Sequence, residues 1–142
     1  MKISLSYPAK IAKTKEGYFV NFRDIENCFT DGDSYEEALY NAQDVLGVML
    51  KSMAKHNENL PKASAVKSGE VLISPFPEIA VPLELYILRK RQGKTLEEVA
   101  KILGISKQRY SDIERGKNLT LKTLHKVTKA LGASADIVLT AN

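Results

Sequence analysis

The chain has 142 residues, 44% of them hydrophobic, and a net charge of +4, which suits one domain or two small ones and excludes disordered and fibrous chains. Its apolar runs are far shorter than the ~20 residues that span a bilayer, and MKISLSYPAK lacks the apolar core of a secretory signal, so a cytoplasmic protein without membrane contact is expected. The single cysteine, Cys28, excludes an internal disulfide and a multi-thiolate zinc site, and reads as a small buried apolar residue.

In chain order, Ile3, Leu5, Tyr7, Ala9 and Ile11 alternate with Ser4, Ser6, Pro8 and Lys10. This predicts a strand with one buried face, and Pro8 marks it as an edge or irregular strand. The turn KTKEG leads to a second alternating strand through Tyr18, Val20 and Phe22, and a third strand around Cys28 to Thr30 ends at an Asp31-Gly32 turn. Ser34 stands three residues before Glu37, the capping-box spacing, so a helix is expected from Tyr35 with Ala38, Leu39, Ala42, Val45, Leu46, Met49 and Met53 facing inward. GEVLIS offers a fourth strand. PFPEIAVP, with three prolines in eight residues, reads as a stiff linker over 76–82 between domains 1–75 and 83–142. Beyond it the period is helical: Leu83 to Arg91, Leu96 to Leu103 after Thr95, Lys107 to Arg115 after Ser106, and Leu121 to Leu131. The tail ADIVLTA alternates, and a lone strand needs a partner. Pairing with its copy in a second chain through Ala135, Ile137, Val138 and Leu139 is therefore expected.

Charge separates the halves. Residues 1–80 carry nine Lys and Arg against eleven Asp and Glu, whereas residues 81–142 carry twelve against six. Different partners are implied. The acid concentrates in 24–37, DIENCFTDGDSYEE, where Asp24, Glu26, Asp31, Asp33, Glu36 and Glu37 occur without one Lys or Arg. A calcium loop counted from Asp31 requires Gly at its sixth position and Glu at its twelfth, where Glu36 and Ala42 stand. Asp24 and Glu26 are close enough to suggest a Mg²⁺-dependent nuclease, but His56 and His125 lie outside the stretch and no nucleophile-base signature accompanies it. No cofactor is expected. Helix capping accounts for Glu36 and Glu37 and turn chemistry for Asp31 and Asp33; Asp24 and Glu26 are left over.

The basic half contains TLEEVAKILGISKQRYSDIERGK. Its Ala100, its Gly104 turn, Ser106 and the IERGK ending closely resemble the helix-turn-helix of Xre/Cro-type repressors over about residues 81–131. The resemblance implies that the helix from Ser106 to Glu114 lies in the DNA major groove. Lys107 and Arg109 then donate to guanine or phosphate, and Gln108 grips adenine, with Ser111 and Asp112 on the same outward face. Lys94, Arg115, Lys117 and the amides capped by Thr95 and Ser106 set register on phosphates. Leu96, where the family commonly has Gln, cannot hydrogen-bond a phosphate. Asp112 places an anion where many relatives keep a neutral or basic group.

The run EGYFVNFRDIENCFTDGDSYEEALYNAQDVL resembles the HicB antitoxin family through Gly17, Tyr18, Asp24, Phe29, Thr30, Gly32, Glu37 and Ala38. Arg23 and the Glu26-Asn27 pair depart from it, where relatives often have prolines and Gly. The resemblance implies an α+β protein: a partial RNase H-like domain of three to four strands and one long helix, without assembled catalysis, ahead of the helix-turn-helix and its dimerisation strand. It implies a non-enzymatic antitoxin that blocks a small, basic, RNA-cleaving HicA-type toxin through Asp24, Glu26, Phe29, Asp31, Asp33, Tyr35 and Glu36, and represses its own operon at a near-palindromic operator as a homodimer. A metal-dependent nuclease and a ligand-sensing repressor are the alternative readings.

Overall fold

A computed structural model describes residues 1–141; Asn142, the last residue of the expected 83–142 domain, lies outside the described residues. The elements run β1 (Tyr7–Thr14), β2 (Gly17–Asn21), β3 (Phe29–Gly32), α1 (Tyr35–Lys55), β4 (Glu70–Ile73), α2 (Pro77–Arg91), α3 (Leu96–Leu103), α4 (Lys107–Glu114) and α5 (Leu121–Ala130). The fold is α+β. Contacts divide it into Met1–Leu83 and Glu84–Asn142, with the division inside α2. Among the described residues no helix is long and apolar enough to cross a membrane.

In the first unit the strands form one antiparallel sheet in the order β3-β2-β1-β4. The alternation read from Ile3 to Ile11 holds for burial, since Leu5, Tyr7 and Ala9 are buried, but β1 starts only at Tyr7, where pairing with Ile73 begins. It is also an inner strand rather than an edge. Pro8 is tolerated because β2 reaches only to Lys10, so β1 has its neighbour β4 alone beside the proline. Ser34 caps α1 by accepting from the Glu37 N–H at 3.1 Å, as its spacing predicts, while the Glu37 carboxylate accepts from the Asp33 N–H instead of the cap's own.

α1 buries Ala38, Ala42, Leu46, Gly47 and Leu50. Leu39, Val45, Met49 and Met53, expected on the same stripe, are half-buried; the contact follows a four-residue row rather than a broad face. Gly32 ends β3 instead of forming a turn after it. A Cβ there would stand 2.4 Å from the Ala38 nitrogen, so only glycine lets β3 pass beneath the start of α1. The expected 76–82 linker is largely helical. Pro77 occupies the first position of α2, where its missing N–H costs nothing, and Pro82 lies inside the helix.

In the second unit Thr95 and Glu98 form a reciprocal capping box on α3, Gly104 closes that helix with φ 69°, and Ser106 caps α4. Val99, Ala100, Tyr110, Ile113, Leu124, Val127 and Leu131 make the core. Leu96, Leu103 and Ile105 are half-buried at its margin. No strand forms in residues 133–141, and among the described residues the expected tail strand has no partner strand to supply its hydrogen bonds.

Candidate binding surfaces

Side chains alternate across the sheet. Val20, Thr30 and Gly32 turn toward α1, so their neighbours Phe19, Asn21, Phe29 and Asp31 share the opposite face. There Phe19 and Phe29 pack ring to ring with centroids 6.0 Å apart, yet stay 41% and 53% exposed. Asp31, directly across from Phe19, is exposed beside them, and its backbone carbonyl is held by the Asn41 amide at 2.8 Å. An open groove of about 550 Å³ runs along this edge, lined by Thr14, Lys15, Glu16, Tyr18, Phe19, Asp31, Gly32 and Asp33. Tyr35 lies edge-on to Tyr18 at 5.7 Å, and Glu36 is exposed in the first turn of α1. Phe29 and Asp31 therefore share the outer face of the sheet with Phe19 and Asp33 lines the groove, whereas Tyr35 packs on Tyr18 from the α1 side and Glu36 follows it in the helix. Phe19 is absent from the surface expected from sequence, although a strand reading Tyr-Phe-Val is apolar on both faces and so announces an uncovered aromatic.

The remaining two acids are placed differently. Glu26 is exposed in the β2–β3 connection, beside Asn27 with φ 58°. Asp24 faces inward. It accepts from the Ser64 N–H at 2.8 Å and Oγ–H at 2.7 Å and pairs with Arg23 at 3.3 Å. Arg23 also donates to Glu70 from Nε at 2.7 Å and to the Ala65 carbonyl at 2.6 Å. Tyr7 donates to the Pro61 carbonyl at 2.6 Å. Together these bonds pin the irregular connection that carries the chain from α1 back to β4. Asp24 is thus a tether with its oxygens occupied, which answers why an acid stands there. Among the described residues no group of three or more His, Cys, Asp or Glu is placed to hold a metal ion. Burial pushes the Cys28 thiol up to about 11; the residue is fully buried, as its reading as a small apolar residue requires.

On the second unit, α4 exposes Lys107, Gln108 and Arg109, with Ser111 and Asp112 half-buried. The Ser106 hydroxyl accepts from the Arg109 N–H, so this cap is engaged, as is that of Thr95. Lys107 reaches back to Glu97 on α3 at 2.8 Å. Gln108 donates to Asp112 at 3.0 Å, and Arg115 and Lys117 lie 3.6 and 3.9 Å from the same Asp112 oxygen. Arg115 also donates to Ser111, and Lys94 to the Gln92 side chain. The orientation of α4 is fixed from behind by Arg89, which is buried against Glu114 and also donates to the Lys94 carbonyl at 2.9 Å. Burial, with the charge of Glu114 adding, raises the pKa of Tyr110 in the same core. Ala135, Ile137, Val138 and Leu139 are all exposed, Leu139 to 92%.

A family model described as helix-turn-helix matches residues 85–138, and one described as HicB-like antitoxin of bacterial toxin-antitoxin system matches residues 6–77. Antitoxin HicB 1 of Photorhabdus laumondii is 30% identical over 91% of this chain and 83% of its own length. An uncharacterized 14.9 kDa protein of Haemophilus phage HP1 is 34% identical over 43% of this chain, which spans only 46% of that relative. A solved HicA3 and HicB3 toxin-antitoxin complex contains a chain similar to 51% of this one and covered over 99% of its own length, with a TM-score of 0.40 and 26% identity.

Proposed function

As the chain belongs to the HicB-like antitoxin family of bacterial toxin-antitoxin systems and carries a helix-turn-helix in its second unit, a family of antitoxins rather than enzymes, we propose that it neutralises a small basic HicA-type toxin. The exposed Phe19–Phe29 pair with Asp31 beside it carries this reading. Paired aromatics left open to water are the kind of anchor that dominates protein interfaces. The groove next to them holds Glu16, Asp31 and Asp33 against Lys15, an excess of negative charge that attracts a surface built for RNA phosphates. Tyr35 and Glu36 extend the surface and Glu26 lies at its margin, whereas Asp24 contributes through the tether.

In the same reading the helical unit binds operator DNA through α4 and represses the operon that encodes both proteins. A homodimer formed through Ala135, Ile137, Val138 and Leu139 presents two copies of α4 to a near-palindromic site. The test is co-expression with the product of the neighbouring short basic reading frame. Rescue of growth and co-purification by the wild-type chain, both lost with Phe29→Ala combined with Asp31→Lys, support the reading. Unimpaired rescue by that double variant would move the toxin surface elsewhere.

A further inference from the structure

An exposed polar junction in the helical unit is built around one carboxylate. Asp112 Oδ1 accepts from Gln108 Nε2 at 3.0 Å, one helical turn earlier, and lies 3.6 Å from an Arg115 Nη and 3.9 Å from Lys117 Nζ. The backbone draws the same residues together, since the Arg115 and Lys117 N–H groups both donate to the Asp112 carbonyl, at 3.2 and 2.8 Å. The Asp112 side chain is 32% exposed, against 59% and 65% for its two cationic neighbours. An anion on a surface meant for polyanionic DNA therefore sits lower than the cations it engages.

We propose that Asp112 is a specificity-determining positioning residue: it orients the Gln108 amide for base reading and restrains Arg115 and Lys117, suppressing affinity for DNA of arbitrary sequence. The proposal rests on the DNA-binding reading of α4. Two physical effects combine. Phosphate contacts supply nearly all non-specific affinity, and a cation shared with a carboxylate gives less of its charge to a phosphate. A side-chain amide has two nearly isosteric orientations, with opposite hydrogen-bonding edges. Because one Gln108 N–H is spent on Asp112, the orientation is set before DNA arrives, leaving the second N–H and the carbonyl oxygen for a base edge. Adenine presents the matching acceptor and donor pair in the major groove. The carboxylate thus lowers binding to any duplex and returns part of that loss only where the correct base is present.

The experiment measures binding of the full chain to two duplexes across a salt series, one enriched from a random pool by the wild-type protein and one of scrambled sequence. With Asp112→Ala, affinity for the scrambled duplex is expected to rise about fivefold or more, with a salt dependence steeper by about one unit for each further phosphate neutralised. The ratio of enriched to scrambled affinity falls. The penalty of Gln108→Ala on the enriched duplex also shrinks in the Asp112→Ala background, a coupling that a purely electrostatic effect does not produce. Asp112→Asn keeps an acceptor without the charge, so it retains the coupling while scrambled affinity stays raised; it also decides the matter if circular dichroism finds the alanine variant unfolded. Weaker binding to the enriched duplex without a rise on the scrambled one overturns the proposal and makes Asp112 a direct base contact. Unchanged binding in both variants overturns it as well. If the wild-type chain enriches no duplex at all, the DNA-binding reading falls, and this inference with it.

Discussion

Arg89 grips Glu114 in a two-pronged ion pair across 25 residues of sequence, Nε donating to Oε2 and an Nη to Oε1, each at 2.8 Å. The guanidinium also lies 5.7 Å from the centre of the Tyr86 ring. Hydrogen bonding to Glu114, with its charge adding, outweighs burial and raises the pKa of Arg89 further, so neither pH nor local relaxation neutralises it. The pair ties the last turn of α2 to the last residue of α4, and the position of α4 depends on it.

Removing one partner leaves the other charged and buried. Glu114→Ala is expected to lower stability by about 3 kcal/mol, a large share of what a small helical unit has to lose. Glu114→Gln should cost less, since one acceptor survives. Urea denaturation of the full chain, followed by far-ultraviolet circular dichroism, checks the order; equal losses in both variants would mean that packing rather than charge sets the cost.

Gly32→Ala addresses the first unit. Its added methyl meets backbone atoms of Ala38 at 2.4 and 2.7 Å and of Glu37 at 2.9 Å, and backbone cannot rotate aside as a side chain can. The expected cost is about 3 kcal/mol, at the upper end for overpacked cores, with the thermal midpoint falling accordingly. A wild-type midpoint would show that α1 lifts from the sheet without penalty.

The tether gives the first unit its acid sensitivity. Burial raises the Asp24 pKa, but the two bonds from Ser64 and the charge of Arg23 outweigh it and the net shift is downward. Glu70 is lowered first by its hydrogen bond from Arg23 and then by the Lys67 N–H. A depressed carboxylate stabilises the fold fully above its unfolded value, about 4, and loses that contribution as pH falls through the native value. The urea midpoint should therefore hold from neutrality to about pH 5 and decline below about pH 4. Asp24→Ala should start lower at neutral pH and decline less; an undiminished acid slope in that variant would assign the titration to other groups.

Deleting residues 135–141 tests the proposed dimer. These residues lie outside the helical core, so the shortened chain is expected to fold, sediment as a monomer and bind DNA more weakly. In the intact dimer, half-sites should fall ~34 to 36 Å apart or a multiple of that spacing. A dimer that survives the deletion would place the two-fold contact on another surface.

Local grammar carried most of the fold. Ser34, Thr95 and Ser106 cap helices whose spacing already predicted them, because a cap depends on three or four adjacent residues. Long-range pairing was illegible. Arg23 read only as a departure from a family pattern, yet it meets Glu70 across 47 residues, and no periodicity encodes such a partner. Asp24 shows the same gap: its charge is visible in sequence, whereas the Ser64 that bonds it is 40 residues away. The prolines misled in the other direction. Three in eight residues suggested an extended linker, but Pro77 begins a helix and Pro82 sits within it. On α4 the outward residues were legible from the turn and caps, while the convergence of Gln108, Arg115 and Lys117 on Asp112 required the geometry.

The burial of Cys28 equips the protein with a built-in chemical clock. It is the chain's one thiol, inaccessible in the native fold and held largely protonated by a pKa near 11, so a thiol reagent must wait for the surrounding structure to open. When closing outpaces labelling, the observed rate reports the free energy of that opening directly. Slower modification in the presence of a bound partner would then measure how much the complex stabilises the first unit, without an added dye or an engineered site.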